Sequence, residues 1–183
     1  LTLQDIIKGC CKNNTKAQEE LYRQYKGVLY SLCLKYCRNE AEAEDNLHNA
    51  FIEIFTGIGH YKGNGSFEGW MKRITINKAI DSYKKTAQLL PIKQDFGEDT
   101  EVSDSEMNLS ADAILALVQQ LPDQYRLVFC LYELDDYPHR EIAQLLDIAE
   151  STSKSNLHRA KAILKEKIKA ARPYPNYNVS NGE

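Results

Sequence analysis

The spacing of apolar residues constrains this chain more than any other feature. Residues 15–37 repeat apolar side chains at Leu21, Tyr25, Val28/Leu29, Leu32 and Tyr36. Residues 40–58 do the same at Ala43, Leu47, Ala50/Phe51, Ile54 and Ile58. Steps of three and four place each set on one face of a helix, and no strand presents such a set on one side. Thr15 is the expected cap of the first segment, and the acids that open the second suit a helix N-terminus. A glycine-bearing loop, GHYKGNG, then breaks the pattern, and Ser66 is placed to cap a third helix running to about Lys85. Helical pattern returns near Ser110 and continues through four short helices to about Ala171. Nothing reads as a strand. The expected fold is all-α: two small helical domains, residues 1–85 and 110–171, the second carrying a helix-turn-helix.

Between them, residues 86–109 contain Pro91, a glycine and a cluster of acids with little apolar periodicity, which reads as a flexible acidic linker. The tail 172–183 has two prolines and polar residues and is expected to be disordered. No apolar run reaches the roughly 18–20 residues of a membrane span, so no membrane insertion is expected. The start, LTLQDIIKGCCKNN, lacks a signal-peptide pattern, which predicts a cytoplasmic protein. Five cysteines (Cys10, Cys11, Cys33, Cys37, Cys130) form no CxxC pair, and Cys33 and Cys37, one turn apart on a helix, read as small buried hydrophobes. The histidines are scattered without ligand spacing, so neither a metal nor another cofactor is expected. No nucleophile–base pair or phosphate loop is visible either, which argues against an enzyme.

Net charge is −3, an unpromising total for a nucleic-acid binder, but the charge is sorted along the chain. Residues 59–85 carry +4 and residues 150–172 carry +5, while residues 93–112 carry −6. Two basic segments flanking an acidic one make an electrostatic footprint for nucleic acid.

Residues 138–169 have the pattern of a helix-turn-helix. Ile142 and Leu146 face inward, Ala143 allows a close crossing, and a three-residue turn, Asp147–Ile148–Ala149, leads to a second helix from Glu150. That spacing lets two short-linked helices cross steeply and present the second to a major groove. Glu150, Ser151, Thr152, Lys154, Ser155 and Arg159 fall in its first turns, within reach of phosphates and base edges. A helical hairpin with a lysine-rich solvated face is the alternative reading.

In the first module, aromatic and basic residues interleave. Tyr61, Phe67 and Trp70 lie near Lys62, Asn64, Ser66, Lys72 and Arg73, and a helix brings Arg73, Asn77, Asp81 and Lys84 to one face. Aromatic faces stack on unpaired bases while lysine and arginine follow phosphates. Asn77, with both donor and acceptor, suits a base edge. Taken individually, Phe67, Trp70 and Ile74 read as core residues ahead of base platforms. On the residues alone, a stand-alone helix-turn-helix regulator and an all-helical adaptor remain open.

The order of these features resembles the RNA polymerase sigma factors of the extracytoplasmic-function (ECF) group, over roughly residues 4–85 and 110–168. AEDNLHNAFIEIF (43–55) is similar to the family's polymerase-binding helix, and GSFEGWMKRITINKAIDSYKK (65–85) to its promoter-melting and −10-reading segment. Residues 121–164 resemble its −35-binding module. The resemblance implies that Asp45, Asn49, Phe51, Ile52 and Glu53 form or support the face that grips the coiled coil of the polymerase's largest subunit. It implies that the 61–66 loop holds a flipped-out −10 base beside Asn77, and that Glu150 to Arg159 enter the major groove at −35. The implied partners are core RNA polymerase, through that coiled coil and its flap, promoter DNA and an anti-sigma protein. Six positions depart from the family pattern. His48–Asn49 replaces glutamine and an acid, Asn46 a common apolar residue, Asp147 a turn glycine, and Asn156 a frequent arginine. Ser153 replaces a branched apolar residue, at an expected cost on the order of 1 kcal/mol.

Overall fold

A computed structural model of the chain describes residues 2–89 and 110–171. Among these there are eight α-helices and no strand. In chain order they are α1 (Leu3–Cys11), α2 (Thr15–Tyr36), α3 (Glu40–Gly57), α4 (Phe67–Leu89), α5 (Ala111–Gln119), α6 (Asp123–Phe129), α7 (His139–Leu146) and α8 (Glu150–Ala170). A 3₁₀ turn, Ile58–His60, follows α3, and a π-helical turn, Cys130–Leu134, extends α6.

Local chemistry sets most boundaries. Thr2 and Asp5 form a reciprocal capping box that starts α1. Asn14, not Thr15, caps α2: its Oδ1 accepts from the Ala17 N–H at 3.1 Å, and Thr15 is the first helical residue. Asn39 caps α3 in the same way, and Ser66 Oγ accepts from the Gly69 N–H at the start of α4, as its position predicts. α4 runs to Leu89, beyond the Lys85 expected, so residues 86–89 belong to the first module. The remainder of the expected linker and the tail 172–183 lie outside the described residues.

In the first module α2 packs against α1, α3 and α4. Ile6, Leu21, Leu29, Ile54 and Met71 are fully buried there. Gly9 permits the α1–α2 approach, since a Cβ at that position would fall 2.5 Å from the Ala17 Cβ. In the second module α8 packs on α6 and α7, around Leu127, Val128, Leu131, Ile142 and Ala160.

The modules also pack on one another, α5 against α2 and α7 against α4, in one continuous apolar core. Nothing in the residue pattern anticipates this docking. Its polar part lies at the end of α2. Gln119 Nε2 donates to Leu34 O at 3.0 Å, Arg126 Nε to Tyr36 O at 3.3 Å and Cys130 Sγ to Lys35 O at 3.2 Å.

Four cysteines are buried, Cys33 and Cys37 among them as expected, and Cys11, next to the buried Cys10, is exposed. Adjacent helical residues differ in direction by about 100°, so only Cys10 of that pair can face the core. Burial pushes the Cys33 thiol up to about 11 and the Cys37 and Cys130 thiols up to about 12.

Candidate nucleic-acid interface

The −10 candidates occupy the loop before α4 and one side of that helix. Tyr61 OH donates to Gly65 O at 2.8 Å, closing the loop over Gly63 and Gly65, both at positive φ. Tyr61, Phe67 and Trp70 form a compact aromatic triangle with centroids 5.0–5.5 Å apart, Phe67 stacking on Trp70 at 25°. Phe67 is only 4% exposed and also meets Tyr25 edge-on, so it supports the other two rings and offers no face to a base. Tyr61 and Trp70 are half-buried, and Lys62, Asn64 and Ser66 are exposed.

Along α4, Arg73 and Asn77 are exposed and Lys84 is half-buried, with the exposed Asp81 between them. Lys72 pairs with Glu68 one turn back at 2.6 Å. Arg73 lies 3.6 Å from Glu141 of α7, an acid of the other module.

The polymerase candidates lie on α3. Asp45, Asn49, Ile52 and Glu53 line a groove of about 350 Å³ between α3, α4 and α6. Ile52 is 53% exposed and offers an apolar side chain at the edge of this groove. Glu53 pairs with Lys78 of α4 at 3.0 Å. Phe51 is buried and meets the Tyr22 ring at 4.6 Å and a tilt of 51°, so it supports the face from beneath. The departure at Asn46 is accommodated: its Nδ2 donates to Thr75 O at 3.1 Å and approaches Cys33 Sγ at 3.3 Å, tying α3 to α4 and α2.

In the helix-turn-helix, Asp147 adopts left-handed geometry (φ 57°, ψ 50°) as the α7 cap, which is how aspartate replaces the turn glycine. Ser153 is 0% exposed, and its Oγ lies 2.9 Å from His139 Nδ1. That ring stacks on Tyr132 at 4.3 Å. The buried hydroxyl is thus satisfied, and the expected cost of placing it in the core is offset. Asn156 is buried as well, and its Nδ2 has no partner. In the first turns of α8, Glu150, Ser151, Lys154 and Ser155 are exposed, and Thr152 and Arg159 are half-buried. Lys154 reaches Glu150 at 2.9 Å, and that contact holds the Glu150 carboxyl below its usual range. Ala149 supplies no side-chain cap, which leaves the opening N–H groups of α8 for a phosphate or water.

Comparison with known proteins assigns the two modules to a family. Residues 21–88 match the model of sigma-70 region 2, and residues 111–164 that of sigma-70 region 4. The chain belongs to the sigma-70 family, in its ECF group. It is 31% identical to the ECF RNA polymerase sigma factor SigW of Bacillus subtilis, covering 92% of this chain and 98% of that one. It is 25% identical to the ECF RNA polymerase sigma-E factor of Escherichia coli K12, over 92% and 95% of the two chains. Among solved structures it resembles the Bartonella quintana sigma factor RpoE bound to the anti-sigma factor NepR (TM-score 0.53, 16% identity, 84% of this chain and 98% of that one). It also resembles CnrH bound to the cytosolic domain of CnrY (TM-score 0.50, 18% identity, 91% and 97%). At such identities these likenesses concern the fold. As an ECF sigma factor the protein binds core RNA polymerase and directs promoter recognition and transcription initiation.

Two residues, one in the α3 groove and one at the module junction, escape a periodicity reading. Lys78 joins the α3 groove, and Arg126 is buried where the modules meet. The signal for Arg126 was a lone cation inside the apolar run YRLVFCL, a position few charges occupy without partners.

Proposed function

We propose that the two modules divide promoter recognition. The 61–66 loop and the exposed side of α4 take the −10 element, and the first turns of α8 take the −35 element. The aromatic triangle is the observation that carries this reading: Tyr61 and Trp70 stand beside a glycine loop, with Lys62, Arg73 and Asn77 around them. A base leaving the stack needs an apolar shelf, cations for the flanking phosphates and an amide for its edge. The α3 groove, with exposed Ile52 amid polar side chains, is the proposed seat of the coiled coil of the polymerase's largest subunit, and the second module would meet the flap. An anti-sigma partner, like those bound to RpoE and CnrH, is part of this proposal. So is a cytoplasmic site of action with no bond chemistry of the factor's own. Among the described residues, no helix is long and apolar enough to cross a membrane.

Promoter affinity comes mostly from the complex, because docking on the polymerase raises the local concentration of each module at its element. Run-off transcription with cognate core polymerase tests the assignment. Asn77→Ala with Lys62→Ala should reduce open-complex formation at least about 10-fold while leaving core binding intact, since one base-edge contact alone is worth about 1–3 kcal/mol. Full activity of the double variant would sink the −10 assignment.

A further inference from the structure

His139 and Ser153 join the start of α7 to the first turn of α8. Ser153 Oγ, on a fully buried residue, lies 2.9 Å from His139 Nδ1, and the half-buried imidazole stacks on Tyr132 at 4.3 Å. Stacking and the hydrogen bond together fix the ring at the edge of the surface proposed for the −35 element. With Nδ1 committed to an interior hydroxyl, Nε2 is the nitrogen left for a partner outside the module. When Nδ1–H donates to Ser153 Oγ, Nε2 carries the lone pair that can take a proton.

The charged groups around this ring come from both helices. Burial and then Lys154 of α8 lower its proton affinity, while Glu150 of α8 raises it, and the net direction is downward. Exposed Arg140, the next residue of α7, acts with His139 and Lys154 on the same Glu150 carboxylate. Tyr132, from the π-helical turn, contributes a neutral ring. Glu150 is the one acid of the group, and Lys154 already holds it at 2.9 Å. The imidazole is therefore neutral in the free factor at about pH 7. A DNA phosphate reverses the balance, because an opposite charge within about 4–6 Å favours the protonated ring.

From this we propose that engagement of the −35 element takes up a proton at His139, so that −35 affinity rises as pH falls through the neutral range. The inference rests on the −35 assignment above. The proton comes from bulk solvent and binds Nε2, whose N–H then donates to a phosphate oxygen beside Lys154. The sign follows from linkage: a group that binds protons more tightly in the complex than in the free protein strengthens the complex as pH falls. The gain starts near the proton affinity of the bound ring and is complete below that of the free one. Well above both, His139 contributes no charge, and Lys154 and Arg159 act without it.

The test measures binding of holoenzyme, formed with cognate core polymerase, to a promoter fragment found by run-off transcription and to the same fragment with its −35 element scrambled. From about pH 7.5 to about pH 6.0, wild-type affinity for the intact fragment should gain about 3–4-fold relative to His139→Gln, the part of a tenfold preference for the charged ring that falls in this window. Over the same interval the wild-type salt slope should steepen by about 1, and that of the variant should stay constant. Glutamine keeps a donor and an acceptor for Ser153, and circular dichroism checks its fold. Calorimetry of the wild type in two buffers of different ionisation enthalpy needs no variant. It should show about half a proton taken up per complex near pH 6.5 on the intact fragment, beyond any on the scrambled one. Equal uptake on the two fragments, or a variant weakened by the same factor at every pH, would overturn proton coupling and leave His139 a structural tie. Loss of the pH dependence in His158→Gln, with His139→Gln unchanged, would overturn its placement at His139. Equal affinity of the wild type for intact and scrambled fragments at every pH is a different failure, that of the −35 reading itself.

Discussion

Asn156 places an amide inside the second module with its Nδ2 unpartnered. An unsatisfied buried donor costs about 1–3 kcal/mol, and leucine has nearly the same branched shape without the polar atoms. Asn156→Leu should therefore stabilise the protein by about 1 kcal/mol, raising Tm by about 2–4 °C in a chain of this size. A drop in Tm in thermal denaturation would show that the amide is satisfied in solution. His139 makes a pH prediction with the opposite logic. Burial and the neighbouring Lys154 hold its imidazole below its ordinary value of 6.5. Protons therefore bind more readily to the unfolded chain between that lowered value and 6.5. The contribution is complete above 6.5 and declines as pH falls through it. Urea midpoints should decrease from about pH 7.5 to about pH 5.5, and His139→Gln should flatten that decline. An identical slope in the variant would assign the effect elsewhere.

At the scale of helices, two small features set positions that larger residues cannot fill. Gly9→Ala would push a methyl to within 2.5 Å of the Ala17 Cβ and force α1 from α2. The expected loss is about 1–3 kcal/mol, read from denaturant unfolding, and an unchanged midpoint would mean that α1 is free to shift. On α8, Lys154 lies in the proposed −35 surface. Lys154→Ala should weaken holoenzyme binding to all −35 sequences similarly and reduce the salt slope by about 1. A change confined to one base position would instead make Lys154 a sequence reader.

The helices α2, α3 and α4 and the helix-turn-helix were legible because each keeps one apolar stripe. The capping residue of α2 was not, because Asn14 and Thr15 are both good caps and only backbone geometry separates them. The π-helical turn at Cys130–Leu134 left no trace in composition, since it adds a residue without altering which are apolar. Within the site, positions could be read but exposure could not. Phe67 and Trp70 look alike in sequence, and only tertiary packing, with Tyr25 and Tyr61 against the first ring, buries Phe67.

The whole molecule hides more from its sequence than any part. Docking of the two modules relies on side chains meeting backbone carbonyls, and carbonyls carry no residue identity to recognise. The thiols report on this assembly. Cys33, Cys37 and Cys130 are buried around the α2 terminus, with their thiols raised far above neutral pH. Thiolate is the reactive form, so only Cys11 should react rapidly with a thiol reagent in the native state. Rapid modification of more than one thiol would mean that the buried set is open to solvent.

The aromatic triangle has one more consequence. Trp70 is the chain's sole tryptophan. All indole fluorescence therefore originates beside the loop proposed to hold the extruded base, with no introduced dye. A base stacking against that ring would quench its emission. The protein thus carries its own optical probe of strand opening, able to time that event within a working initiation complex whose polymerase has had its tryptophans replaced by a non-fluorescent analogue.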